Sequence, residues 1–508
     1  MSKAIDLIVD SVVRLDVQGM SPSLLLQLQS IATYEDPVWV KEKAKGYPVL
    51  EENRYLFSYR RSNNEQFYYF SRGLLESIIE ILIRDNYQYV IKNNSVSFSF
   101  LPLNFKDPEF LLKYQIRAVD KLLEKNSGLL DSECGSGKTV MMTYLISKIK
   151  QPTLIIVDTL EIQNQWVSEF RRHLTLDGRK ITIGEIGGGM SKIRPLTVST
   201  FQSLNTFTKD EWNNLNSKFG CIIFDEIQHG ASPTIFAIAN RSKAKYRYGV
   251  SGTIKRRDER EFLIYDAISP RIVSVESSEL EAEGRLVSAS VKFVPYFGQI
   301  KTKFMKIWDE GEAVGRDINW GRIYSDIAEN NHRTGLIVSE VVKTAKLGHI
   351  CLILSPRRAH CEVIFRTLQE LDIPSALIMG KIKKDFRLEI LKRAKAGDIN
   401  VIIATNNLAA EGLDIPILSC LHLTMPTSNP LFLKQATGRI RRVLEDKLPP
   451  LIVDYVDLNN HIIFGMARSR EKTYRKLGYE VLNTVNSLIG GGSSCEKESH
   501  GGYDLRIE

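Results

Sequence analysis

Ser132-Glu133-Cys134-Gly135-Ser136-Gly137-Lys138-Thr139 decides the fold, because a loop built this way holds the β- and γ-phosphates of a nucleotide. It follows the apolar pair Leu129-Leu130 and opens a helical pattern from Val140 to Ile149. Glycines at 135 and 137 let backbone N–H groups turn toward an anion, and the helix N-terminus adds partial positive charge. Lys138 is placed to reach the β/γ-phosphates, and the Thr139 hydroxyl to ligate Mg²⁺. Ser132 stands where the general pattern has Gly.

Downstream, Cys221-Ile222-Ile223-Phe224 reads as a buried strand ending in Asp225-Glu226. In nucleotide hydrolysis such an Asp holds the Mg²⁺ shell and the Glu polarises the attacking water. An acidic pair at a strand end is by itself more often a solvated turn. Here it follows Lys138 by a domain's width, on the same edge of an expected parallel sheet, where ligands of open α/β sheets bind.

The 508 residues leave room for about three domains, and 43% hydrophobic content is ordinary for globular protein. No apolar run approaches the ~20 residues that span a bilayer, and the first residues lack a signal-peptide pattern. Cysteines stand singly at 134, 221, 351, 361, 420 and 495, which argues against a disulfide framework or zinc site and suits a reducing cytoplasm. A net charge of +8 is compatible with a polyanionic partner without establishing one.

Strand runs alternate with helical patterns twice. The first block contains Thr153 to Val157, Leu196 to Ser199, Cys221 to Phe224 and Tyr246 to Ser251. The second contains Ile350 to Leu354, Ser375 to Met379, Asn400 to Ala404, Cys420 to Thr424 and Leu451 to Tyr455, with a helical pattern from Phe386 to Ala394. The expected fold is α/β: two tandem RecA-like parallel-sheet lobes plus a small mixed α/β N-terminal domain. Expected boundaries are 1–105 for the accessory domain, 106–275 for the first lobe, 276–335 for a connecting segment, 336–485 for the second lobe and 486–508 for a flexible tail. The accessory domain reads as a polar helical start, an aromatic block (Tyr55 to Arg61, Phe67 to Phe70) and an alternating strand over Ser95 to Phe100.

The second block carries Thr405, then Glu411-Gly412-Leu413-Asp414, then Gln435-Ala436-Thr437-Gly438-Arg439-Ile440-Arg441-Arg442. Arginines three apart on a helix share a face, so Arg439 and Arg442 can serve as arginine fingers. A solvated basic helix is the bland alternative.

With these residues the chain resembles the superfamily-2 helicases and translocases over about 106–480. Tyr114-Gln115 is similar to the adenine-side Gln motif, Ser132 to Thr139 to motif I, and Asp225-Glu226-Ile227-Gln228 to motif II. Ser251-Gly252-Thr253 resembles motif III, Thr405 with Glu411 to Asp414 motif V, and Gln435 to Arg442 motif VI. Gly249 to Thr253 and the long N-terminal extension look most like phage branch-migration helicases of the UvsW type, related to the XPB and RecG types.

The resemblance implies ATP and Mg²⁺ as cofactors. It implies catalytic roles for Lys138, Asp225, Glu226, Gln435, Arg439 and Arg442, and Mg²⁺ ligation by Thr139 and Asp225. It implies nucleotide contacts from Gln115, Ser132, Glu133, Cys134, Gly135, Ser136, Gly137, Lys138, Thr139, Gly412 and Asp414. Thr200, Gln202, Ser355, Arg357 and Thr405 would line the nucleic-acid face through phosphate contacts. Gln228 stands where related proteins carry His, with His229 next, and can make the same kind of hydrogen bond toward motif VI. Gln435, in place of the His of DEAD-box proteins, favours DNA.

The expected partner is DNA, forked or branched, with single- and double-stranded parts, and no membrane. The expected state is a monomer in the cytoplasm, that of a bacterial host if phage-encoded. An RNA helicase or a restriction-type translocase motor is the competing enzyme reading. Intact Lys138, Asp225, Glu226 and Arg442 argue against a silent nucleic-acid clamp.

Overall fold

The computed structural model describes residues 4–490 apart from 134, 229–231, 257, 310–311, 380–383 and 407–414. It forms two compact units: Met1–Leu286 with Lys306–Asp317, and Val287–Met305 with Ile318–Glu508. Among the described residues no helix is long and apolar enough to cross a membrane.

The first unit begins with a five-stranded sheet, ordered Tyr59–Arg61, Phe67–Ser71, Val12–Asp16, Ile5–Val9 and Tyr89–Asn93. Ile5, Leu7 and Val9 alternate inward with Val13 and Leu15 of the next strand, and the helices Pro22–Ser30 and Leu75–Arg84 close that core. The chain therefore opens on a hairpin where a polar helix was expected, because its apolar residues recur every second position. Ser95 to Phe100 also departs from expectation. Val96 makes one bridge to Ala244, and the Gln151 side chain satisfies Phe98 N (2.7 Å) and Phe98 O (3.0 Å), taking the place of a neighbouring strand.

This domain is fastened to the lobe that follows. Arg72 donates to Ala244 O (2.6 Å) and Lys245 O (2.5 Å), and buried Arg247 returns a bond to Ser11 O (3.2 Å). Tyr34 donates to Asp266 (3.1 Å), and Arg260 pairs with Asp36. Lys45 reaches Asp317 of the hairpin Phe304–Asp309 and Glu312–Ile318 at 2.9 Å.

The lobe itself is an eight-stranded sheet, ordered Met190–Lys192, Gly184–Gly187, Leu196–Thr200, Thr153–Val157, Cys221–Phe224, Tyr246–Ser251, Ser127–Ser132 and Ile272–Val275. Every pairing is parallel except the edge hairpin. The central strands Thr153–Val157 and Cys221–Phe224 are buried at every position because helices cover both faces. Parallel pairing brings the carboxyl ends of Ser127–Ser132, Cys221–Phe224 and Tyr246–Ser251 to one edge.

The second unit is a seven-stranded parallel sheet: Ser375–Ile378, Val401–Thr405, Cys351–Ser355, Cys420–Leu423, Leu451–Asp457, Ser290–Tyr296 and Glu480–Val481. Ser290–Tyr296 lies within the stretch read as a connecting segment, yet it is a full member of this sheet beside Leu451–Asp457. Two fully buried ion pairs, Arg333–Asp457 and Arg470–Asp454, each at 2.7 Å, fix helices onto it. Removing one partner would strand a buried charge.

Candidate nucleotide site

The phosphate loop leaves the strand Ser127–Ser132 and enters the helix Lys138–Ile149. Gly135 and Gly137 take φ of 90° and 81°, a region that glycine enters without steric cost. A β-carbon on Gly137 would meet Gln115 Nε2 at 2.5 Å, so the loop and the Gln motif are built against each other. Gln115 Nε2 (3.0 Å) and Tyr114 Oη (2.7 Å) both donate to Ser136 O, and Gln115 Oε1 accepts from Leu112 N (3.0 Å). The hydroxyls of Ser132 and Ser136 are buried without a hydrogen-bond partner. Glu133 accepts from Ser277, and Cys134 lies outside the described residues.

Lys138 Nζ sits 2.9 Å from Glu226 Oε1. Asp225 is held from two sides: Trp166 Nε1 donates to Oδ2 at 2.6 Å, and Glu226 N donates to Oδ1 at 2.9 Å. Burial, then the charge of Glu226, push the Asp225 carboxyl up to about 6. Glu226 has φ of 46°, a conformation that costs a non-glycine residue energy and recurs where side chains are aimed for function.

Gln228 Nε2 donates to Glu226 Oε2 at 2.6 Å, while Gln228 Oε1 accepts from Ser251 Oγ. Its amide thus joins motif II to motif III within one lobe, where the sequence pointed it toward motif VI. Arg256 secures the same turn through Gln228 O (2.9 Å) and Asp258 (2.8 Å). His229 is outside the described residues. Trp166 gave no signal in the sequence, since a tryptophan in the amphipathic helix Leu160–His173 reads as core.

This set fits a nucleotide with Mg²⁺. A carboxylate pair stands beside an ammonium that contacts one of its members, buried hydroxyls lack partners, and glycines open a cradle at a helix N-terminus.

Of the expected nucleic-acid residues in the first unit, Thr200 ends the strand Leu196–Thr200 and bonds Ser203 (2.9 Å). Exposed Gln202 donates to Asp158 (3.2 Å). In the second unit Ser355 and Thr405 are register partners at the carboxyl ends of neighbouring strands. Ser355 is fully buried, its hydroxyl against His360 Nδ1 (3.1 Å) and Arg357 N (3.2 Å), so it braces the turn from within. Arg357 donates to Gly321 O.

The helix Pro430–Gly438 carries Gln435 and stops before the arginines. Arg439 caps its end and Arg442 follows outside it, so the two do not share a helical face as expected. Arg441 between them is fully buried, 4.9 Å over the Tyr479 ring, and donates to Val287 O (3.0 Å). Gly412 and Asp414, with Glu411, lie outside the described residues.

Comparison with known proteins agrees with this anatomy. Residues 110–256 match the family model of the type III restriction enzyme res subunit, and residues 335–443 match that of the helicase conserved C-terminal domain. Fold and models together define a nucleic-acid-dependent ATPase of the helicase class. "Probable helicase D10" of Escherichia phage T5 is 25% identical over 387 residues, 75% of this chain and 79% of that protein. "DNA 3'-5' translocase XPB2" of Sulfurisphaera tokodaii is 26% identical over 353 residues, 64% of this chain and 77% of that protein. A solved structure of T4 UvsW is similar with 17% identity and a TM-score of 0.41, covering 95% of this chain and 99% of that one. The chain belongs to the superfamily-2 helicases, related to phage helicases and the XPB type.

Proposed function

We propose that this chain is an ATP-dependent DNA translocase that unwinds or branch-migrates forked and junction DNA in phage replication, recombination or repair. The observation that carries the ATP-driven part is the Lys138–Glu226 pair beside the doubly held Asp225, at the carboxyl edge of a parallel sheet. The DNA part is supported by the XPB2 relative, whose name describes a DNA translocase, and by the +8 charge.

In this reading the loop from Gly135 to Thr139 would hold the phosphates, Gln115 the base, and Thr139 with Asp225 the Mg²⁺. Bound Mg²⁺-ATP supplies the phosphoanhydride to be cleaved and a counter-charge for its oxygens. Lys138 then exchanges Glu226 for phosphate oxygens, and Glu226 Oε1 becomes free to accept a proton from water. Trp166 and Glu226 N keep Asp225 in one rotamer, so that exchange does not disturb it. Arg439 and Arg442 of the second unit would neutralise charge that develops on the phosphates. Thr200, Gln202, Arg357 and Thr405 would grip backbone phosphates. Arg60, Arg61 and the neighbouring aromatics of the N-terminal domain would add preference for DNA structure over sequence.

The test is ATP hydrolysis measured with single-stranded DNA, duplex, four-way junction and RNA as separate stimulants. Stimulation by the junction above duplex is expected. Stimulation by RNA alone would replace this reading with an RNA helicase.

A further inference from the structure

The N-terminal sheet has two faces, and only one is packed on its own helices. On the other, the register lines up Arg60, Tyr69, Arg14, Ile8 and Lys92 across all five strands. Arg60 lies 4.6 Å over the Tyr69 ring, and Arg14 lies 5.4 Å over Phe67. Lys92 is neutralised by Asp6 at 2.6 Å, so the free positive charge collects at the Arg60 end.

That end opens into a cleft of about 370 Å³, within the usual range of small-ligand pockets, roughly 300–1,000 Å³. Phe57 and Tyr69 form one wall and Phe236, from the helix Ser232–Arg241, the other. Arg60 and Arg241 stand on its rim, both exposed and neither paired with a carboxylate among the described residues. Phe57 is 51% exposed, so its ring is open to a ligand entering the cleft. Asn240 lines the same cleft: its Nδ2 donates to Ser71 Oγ (3.0 Å), but its Oδ1 is buried with no partner.

Aromatic walls, unpaired guanidiniums and an orphaned acceptor call for a flat apolar ring that carries an N–H donor and an attached anion. A nucleobase with its phosphate has all three. The donor narrows the choice further. Base N–H groups on the Watson–Crick edge are free to reach Asn240 only when the base is unpaired. We propose that this cleft takes an unpaired base of single-stranded DNA, stacked on Tyr69 with its phosphates on Arg60 and Arg241. The proposal rests on the DNA-motor reading and names the part of the substrate that the N-terminal domain holds.

Full-length protein is titrated with a short oligothymidylate carrying fluorescein, and separately with an oligonucleotide carrying 2-aminopurine. Tyr69→Ala is expected to weaken single-strand binding about tenfold, the usual effect of losing one stacking partner, and to abolish 2-aminopurine quenching. Tyr69→Phe should bind as wild type, since the ring is kept. Blunt duplex affinity and unstimulated ATP hydrolysis should be unchanged in both. If Tyr69→Ala fails to fold, Phe236→Ala from the opposite wall and Arg241→Glu from the rim give the same readout. Wild-type single-strand affinity in these variants, or equal losses for duplex, would overturn the proposal, as would preference of the cleft for oligouridylate RNA. Wild-type protein whose hydrolysis no nucleic acid stimulates would instead sink the motor reading and leave the binding result standing.

Discussion

The indole of Trp166 and the carboxylate of Asp225 are joined by a 2.6 Å hydrogen bond across two elements of one lobe. The donor comes from a helix face that is otherwise core, next to Phe170. Hydrogen bonds to charged groups contribute about 1.5–3 kcal/mol. Trp166→Phe keeps most of the packing and loses the donor. We expect its half-saturating Mg²⁺ in ATP hydrolysis to rise roughly tenfold. An unchanged Mg²⁺ titration in a variant that melts like wild type would show that Trp166 only packs.

Lys138 and Glu226 should fail differently although they touch. Lys138→Ala removes the loop's cation and should abolish turnover while DNA binding persists. Glu226→Gln keeps the shape and loses the base, so nucleotide should remain bound and uncleaved on filter-binding assay. Near wild-type hydrolysis in either variant would move that role elsewhere.

The arginines after Gly438 should separate by function. Arg441 is enclosed with Tyr479, so Arg441→Ala should cost about 2–3 kcal/mol in urea unfolding. Arg439→Ala or Arg442→Ala should instead lower kcat, on the order of 10³-fold where finger arginines act, with nucleotide affinity little changed. Loss of affinity alone would indicate plain binding.

Asp266 offers a pH test. Burial pushes its carboxyl up to about 6, opposed by the hydrogen bond from Tyr34. A carboxyl raised above its unfolded value favours the protonated form, so this group's contribution falls as pH rises from about 4 to about 6 and is constant above. The decline is bounded by about 3 kcal/mol. In Asp266→Asn the difference from wild type should grow across that window in urea titrations. A pH-independent difference would mean the group titrates normally.

Gly73 permits a close approach. A β-carbon there would lie 2.1 Å from Tyr265 O and 2.6 Å from Asp266 O. Gly73→Ala must therefore push the N-terminal domain off the lobe, costing about 1–3 kcal/mol by urea unfolding. A neutral substitution would show that this seam yields freely.

Much of the nucleotide site was legible because its chemistry is local: Ser132 to Thr139 is one continuous loop, and Asp225-Glu226 directly follows its strand. What escaped depends on partners distant in sequence. Ser290–Tyr296 becomes a strand beside Leu451–Asp457, some 160 residues on, and nothing near it signals that pairing. Trp166 and Arg441 carry types that suit a core and a basic surface, and only the fold turns the first to Asp225 and the second inward to Tyr479. The opening hairpin was visible in the alternation of Ile5, Leu7 and Val9, though polar residues between them resemble a helix surface. Ser95 to Phe100 shows the converse, an alternating pattern that makes a single bridge at Val96 and whose Phe98 backbone is satisfied by the Gln151 side chain.

The seam made by Arg72, Gly73 and Arg247 has a kinematic meaning. Arg72 of the small domain bonds backbone carbonyls of the lobe, and Arg247 of the lobe bonds Ser11 O of the small domain, so the two are tied from both sides next to the sheet that bears Lys138. Under the proposed function, nucleic acid held by that domain would therefore be carried along with the phosphate loop as one body.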